Sequence, residues 1–208
     1  MDSTLSDDIY SREMKLDEYK KKYEGDRFYK EVFEDLIYEP VVNWDANTVV
    51  DVGALAGEFS FWCHYRAKKI FAIEPQPKYF VELEQNIKDF EFDKVKPINI
   101  AISSKNGVGK LVGNNERGSE SFIPDSGDVV SKTLATFMKD EGIDQIDILK
   151  IDIEGHEFSV FAADDFKDVA KDIKHIIGEH SSNQLSALLK ERGYEVNLFE
   201  HGFTATQI

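Results

Sequence analysis

Seven short runs, TVVDVG, KIFAIEP, VKPINIAIS, IDILKIDIEG, KHIIGEH, YEVNLFE and FTATQI, constrain this chain more than any other feature. Each is rich in valine, isoleucine and phenylalanine and is bounded by turn residues, the pattern of a β-strand. Helical stretches lie between most of them, EFSFWCHYRA after the first and KYFVELEQNIKDF after the second. Such alternation implies a parallel sheet, because a parallel neighbour is reached only through a crossover, and the crossovers cover both faces. The last two runs are separated only by His201 and Gly202, so they are expected to close as an antiparallel pair. The expected fold is therefore α/β: a doubly wound, seven-stranded, mostly parallel sheet with an antiparallel C-terminal hairpin.

Ahead of this pattern, from Tyr10 to Tyr38, apolar residues recur at helical spacing. Gly25 and Asp26 divide the run into two amphipathic helices, and Pro40 stops the second. Residues 1–45 are expected to form a helical extension that serves as a lid or in dimerisation, and 46–208 the main domain. Within that domain the segment 104–132 is rich in Gly, Ser and Asn and contains two strand-like pieces, GKLVG and SFIP. It is long for a plain connection and reads as an inserted hairpin beside the site. Its Arg117, Ser119 and Ser121, with the N-terminal helices, are expected to shape the substrate pocket.

Charge and cysteine content narrow the partners. The 208 residues are 41% hydrophobic, enough for one core, and carry 25 basic against 40 acidic side chains, a net charge of -15. That field repels phosphate backbones and anionic lipid surfaces, so neither nucleic acid nor membrane is an expected partner. A single cysteine, Cys63, leaves no internal disulfide framework and reads as helix packing. No apolar run approaches ~20 residues, and the acidic start MDSTLSDD is unlike a secretory signal, so a cytoplasmic location is expected.

Doubly wound sheets bind ligands at the carboxyl ends of their strands. The first strand ends in DVGALAGEFS, which places Asp51, Gly53 and Gly57 in a D-x-G-x-x-x-G turn into a helix. Glycine permits the tight turn and a close approach of ligand to backbone. The second strand ends at Glu74, about twenty residues on, where a carboxylate can accept the hydroxyls of a ribose. Together these residues indicate an adenosine-containing ligand. A dinucleotide would set its pyrophosphate near Asp51, and Leu55 stands where the dinucleotide fingerprint needs its second glycine. S-adenosylmethionine, with a sulfonium, an ammonium and no phosphate, suits the turn better.

In LKIDIEGHE, Lys150, Asp152 and Glu154 alternate with Leu149, Ile151 and Ile153, so a strand here puts three charges on one face. Buried in a parallel sheet, unpaired charges cost several kcal/mol each. Lys150 and Asp152 can offset each other and Glu154 can reach solvent; alternatively the face opens onto the ligand crevice, with Asp152 serving substrate, cofactor or metal. The next strand ends in Glu179 and His180, and His180 beside Asp152 is a candidate general base because imidazole takes a proton near neutral pH. Asp152, Glu179 and His180 can alternatively hold one divalent cation, although two strand ends leave its coordination shell incomplete. His156 has two possible orientations, pocket or first helical turn, while His64 and His175 read as structural.

This set of motifs resembles the FkbM family of S-adenosylmethionine-dependent methyltransferases, which have the Rossmann-like class I methyltransferase fold. The resemblance runs from VVDVGALAGEFSFW through IFAIEPQPKYFVELEQNI and INIAIS to SKTLATFMKDEGIDQIDILKIDIEGHEFSVF and ERGYEV. Its most specific piece is LKIDIEGHE, close to a family signature. It implies methyl transfer to an oxygen, typically a hydroxyl on a sugar or natural product. Cofactor contacts are then expected at Asp51, Gly53, Ala54, Gly57, Glu74, Pro75, Asn99, Ala101 and Asp152, and catalysis from Asp152, His180 and Glu179, with no metal residue assigned. Two positions depart from the family: Leu55 replaces a usual asparagine and Ala135 a usual aspartate. Two rivals stay open, an NAD-dependent oxidoreductase and a methyltransferase-like interaction module without activity, the latter because of Leu55 and Ala135.

Overall fold

The computed structural model describes residues 15–38, 46–113, 121–179, 182–200 and 202–208. In chain order its strands are β1 (Ala46–Val52), β2 (Ala67–Ile73), β3 (Val95–Ile98), β4 (Ala101–Ile102), β5 (Gly107–Val112), β6 (Ser121–Pro124), β7 (Val129–Lys132), β8 (Ile146–Ile151), β9 (Ile173–Gly178), β10 (Tyr194–Phe199) and β11 (Gly202–Gln207). The main sheet has seven strands in the order β10-β11-β9-β8-β1-β2-β3. Only β11 runs against its neighbours, pairing antiparallel with both β9 and β10. From β1 the chain steps to β2 on one side, while β8 lies against the other side of β1 and leads on to β9. The order reverses between β1 and β8, and a crevice is expected at their carboxyl ends.

The helices are α1 (residues 15–22), α2 (Arg27–Tyr29), α3 (Glu58–Cys63), α4 (Pro77–Asp89), α5 (Leu134–Glu141), α6 (Glu157–Phe161), α7 (Phe166–Val169) and α8 (Asn183–Glu191). Their ends follow local chemistry. Thr133 caps α5 by accepting from Thr136 N, and Gly142 ends it at φ 64°. Ser182 caps α8 in the same way, and Pro77 opens α4, where its missing N–H costs nothing.

Successive residues of the central strands feed two cores. Val50, Phe71, Ile73, Leu149 and Ile151 pack with α5 to α8, while Val49, Ile70, Ala72 and Ile148 pack with α3 and α4. The second core includes Tyr19, Tyr23, Val32, Ile37 and Tyr38. Tyr19 is fully buried, with its ring 4.7 Å from Phe61 and 5.4 Å from Phe90. Residues 15–38 of the N-terminal segment are thus built into the main core.

Four expectations change in detail. VKPINIAIS is two strands, not one: β3 ends at Ile98, and Ala101–Ile102 pairs instead with β7. The insertion is more than a hairpin, since β5 and β6 join β7 and β4 in a separate four-stranded sheet. IDILKIDIEG leaves the sheet after Ile151, and the second N-terminal helix is one turn that winds into a π-helical turn over Lys30–Glu34. Tyr10, Met14, Pro40, Arg117, Ser119, His180 and His201 lie outside the described residues.

Candidate active site

The site begins where β1 ends. Gly53, Leu55 and Gly57 take φ of 80°, 47° and 103°. A Cβ on Gly53 would lie 2.0 Å from the Asp152 carbonyl oxygen, and one on Gly57 would lie 2.5 Å from the Phe61 ring. Both glycines therefore answer contacts inside the protein: the turn is pressed against the end of β8 on one side and α3 on the other.

Asp51 and Lys150 stand directly opposite each other on β1 and β8, on the face covered by α3 and the N-terminal segment. Lys150 Nζ is 3.2 Å from Asp51 Oδ1, and Ser60 Oγ of α3 donates to Asp51 Oδ2 at 2.7 Å. The ammonium also donates to the Gly53 carbonyl at 2.7 Å and lies 3.9 Å from Asp152 Oδ2. Burial alone would push its pKa down, but Asp51, then Asp152 and Glu179, raise it to about 12. Lys150 is therefore a buried cation whose nearest acid is Asp51, not the same-strand Asp152 that alternation suggested.

Glu74, just past β2, is also buried, but its side-chain oxygens meet amides. Oε2 accepts from Leu55 N at 2.9 Å and Oε1 from Gln76 N at 2.7 Å. Burial pushes its carboxyl up to about 7, opposed by the two N–H groups. Asn99 Nδ2 donates to the carbonyls of Glu74 at 2.8 Å and Pro75 at 3.2 Å, which fixes the end of β2 to that of β3.

A cavity of about 750 Å³ opens over these ends. Gly53, Leu55, Glu74 and Pro75 line it from β1 and β2, Ile100 to Ser103 from the link into β4, and Leu111 and Phe122 from the inserted sheet. Asp152, Ile153, Glu154, His156 and Ser159 line it from β8 and α6, and Phe28 from the N-terminal segment. A smaller cavity of about 290 Å³ shares Phe28, Gly53, Leu55 and Asp152 and adds Ala54, Tyr38, Lys150 and Glu179. Asp152, whose side chain is 17% exposed, is thus common to both.

The residues singled out in the sequence converge unevenly. Gly53, Glu74, Pro75, Ala101 and Asp152 line the larger cavity, and Ala54 and Glu179 the smaller. Asp51, Gly57 and Asn99 are among the lining residues of neither: Asp51 is paired with Lys150 behind the turn, Gly57 closes the turn against α3, and Asn99 ties the end of β3 to that of β2. Leu55, Phe28, Phe122 and Ser159 were not foreseen as walls, and His156 faces the pocket. Glu157, also unforeseen, is buried and accepts from Ile153 N at 2.9 Å and Gly155 N at 3.4 Å, holding the turn after β8. Among the described residues no cluster of three or more His, Cys, Asp or Glu is placed to hold a metal, and His180 lies outside them.

Residues 51–196 match the family model described as the methyltransferase FkbM domain, a span that holds the glycine turn, Glu74, Asp152 and Glu179. The chain belongs to the FkbM family of methyltransferases. It is similar to methyltransferase sdnD of Sordaria araneosa, 28% identical over 218 residues that cover 84% of each chain. Its fold is shared by solved structures, among them the following two. Precorrin-6y C5,15-methyltransferase from Geobacter metallireducens GS-15 matches with a TM-score of 0.54 at 15% identity, over 84% of this chain and 87% of that one. TrmK of M. capricolum, solved with S-adenosyl-homocysteine, matches with a TM-score of 0.55 at 12% identity, over 84% and 68%. The fold is that of class I methyltransferases, and FkbM membership sets aside the NAD-dependent reading. Of the two departures from the family pattern, Leu55 supplies its amide to Glu74, and Ala135 sits in the first turn of α5, among the lining residues of neither cavity.

No described helix is long and apolar enough to cross a membrane.

Proposed function

We propose that the larger cavity binds S-adenosylmethionine and that the protein methylates a hydroxyl oxygen on a small molecule or sugar. The observation that carries this reading is Glu74, a buried carboxylate on the cavity wall at the carboxyl end of β2 in an FkbM-family chain. The lining fits the cofactor's parts. Glu74 keeps a second lone pair on each oxygen for ribose hydroxyls, and Ile100, Ile102, Tyr79 and Phe122 offer apolar faces to the adenine. Pro75 and Ala101 border the same space, and no phosphate has to be accommodated near buried Asp51.

When bound, S-adenosylmethionine supplies a methyl group on a positively charged sulfur. The chain's own tasks are then to orient the acceptor, exclude water and remove one proton. Asp152 borders both cavities, and we assign it to the acceptor: as oxygen gains the methyl group, its proton passes to the Asp152 carboxylate. Glu179 in the smaller cavity supports this step electrostatically, and His180 is the second candidate for the base. Phe28 and Phe122 shield the reacting groups from water. Alignment of this kind lowers barriers by several kcal/mol.

Titration calorimetry tests the reading. Heat of binding is expected with both S-adenosylmethionine and S-adenosyl-homocysteine, and Glu74→Ala weakens both by about tenfold or more. No heat with either ligand sinks it. Transfer of labelled methyl to a panel of hydroxyl compounds tests the acceptor, and labelling of nitrogen or carbon alone would overturn the oxygen assignment.

A further inference from the structure

The glycine turn between β1 and α3 is gripped at three successive places by buried polar side chains. Lys150 of β8 donates to the Gly53 carbonyl at 2.7 Å, Glu74 accepts from Leu55 N at 2.9 Å, and Asn86 Nδ2 of α4 donates to the Ala56 carbonyl at 2.9 Å. Of the three, Asn86 borders neither cavity and is fully buried in the interior of α4. A buried amide costs several kcal/mol unless its hydrogen bonds are made. An apolar residue would pack there without that cost, so packing alone does not call for asparagine.

The amide is completed from the N-terminal segment. Asn86 Nδ2 also donates to Tyr23 Oη at 2.8 Å, and Lys22 Nζ donates to Asn86 Oδ1 at 2.7 Å. The Tyr23 hydroxyl in turn donates to Glu82 Oε1 at 2.8 Å. These contacts hold a part of the chain that resists its own conformation. Leu55, a non-glycine residue, sits at φ 47°, which costs roughly 1 kcal/mol or more and persists only when neighbours enforce it. Asn86 fixes the Ala56 carbonyl one residue further on, and so fixes the direction in which the Leu55 amide meets Glu74.

We infer that Asn86, with Tyr23 and Lys22, is a positioning group for the cofactor. The α1 end of the N-terminal segment sets cofactor affinity through the glycine turn without touching the cavity. The inference rests on the cofactor reading of the larger cavity, and its test separates the two. Full-length Asn86→Ala and Tyr23→Phe are titrated with S-adenosyl-homocysteine at a temperature where circular dichroism shows each folded. Leu185→Ala, at a buried position of α8 and away from both cavities, is the control for stability loss alone.

Asn86→Ala is expected to weaken binding about tenfold or more and Tyr23→Phe about twofold to fivefold. Leu185→Ala lowers the melting temperature and leaves affinity within about twofold. Wild-type affinity in Asn86→Ala and Tyr23→Phe overturns the inference while leaving the cofactor reading intact, and so does an equal loss in Leu185→Ala. If Asn86→Ala does not fold, Tyr23→Phe decides alone, since it keeps the ring and removes only the hydroxyl. A flat titration of the unaltered protein removes the cofactor reading, and this inference with it.

Discussion

Asp51 and Glu74 are buried carboxylates near the carboxyl ends of neighbouring parallel strands, yet their surroundings differ in kind. Asp51 faces a cation and a hydroxyl, Lys150 and Ser60, under the cover of α3. Glu74 accepts from the amides of Leu55 and Gln76, feels the Lys150 charge less than these, and borders a cavity. A carboxylate given a full opposite charge is fixed as part of the frame. One held mainly by dipoles stays close to its protonation threshold, and a ligand or a change of pH can tip it.

The largest effect comes from breaking the charged side of this contrast. Lys150→Met leaves Asp51 buried without its cation and is expected to cost about 3–5 kcal/mol in denaturant unfolding. Adding Asp51→Asn to Lys150→Met should restore most of that loss. If the double variant is no more stable than the single, Asp51 is not held by charge.

Glu74 should respond to pH near neutrality. Its folded-state pKa of about 7 stands above the ordinary 4.5, so between these values the folded protein keeps a proton that the unfolded chain releases. Stability therefore falls as pH rises through that window, by about 3 kcal/mol in total, and the loss is complete above it. Affinity for S-adenosyl-homocysteine should move the opposite way, rising as the carboxylate forms near pH 7. Glu74→Gln should flatten both trends, and a stability profile unchanged by Glu74→Gln would place the titration elsewhere.

The smallest test sharpens the frame side. Ser60→Ala removes one donor from Asp51 and leaves Lys150 in place, for an expected loss of about 1–3 kcal/mol by thermal unfolding. A loss as large as that of Lys150→Met would mean that the hydroxyl, not the ammonium, holds the carboxylate.

Much of the fold was readable along the chain because strand and helix periods are properties of consecutive residues. The seven strands of the main sheet and the antiparallel end follow from pattern and from the short His201–Gly202 link. Glu74 and Asp152, which line the larger cavity, were singled out because sheets of this kind place ligands at strand ends, and strand ends are local. The division of VKPINIAIS was not readable: Pro97 is tolerated in edge strand β3, and Asn99 breaks the run by bonding to carbonyls 24 and 25 residues earlier. Phe28 and Phe122 reach the cavity from an N-terminal turn and an inserted sheet, and no spacing within either segment foretells that meeting.

LKIDIEGHE marks where the two kinds of information part. Its alternation correctly puts Leu149 and Ile151 in one core, and its glycine and acids mark a turn at a cavity-lining strand end. Alternation also made Asp152 the natural partner of Lys150, two residues away. Only the register of β8 on β1 brought Asp51, 99 residues earlier, to 3.2 Å from that ammonium. Hydrophobic burial depends on which residues are apolar and in what order, whereas the pairing of a buried charge depends on distance, and distance exists only once the strands have docked.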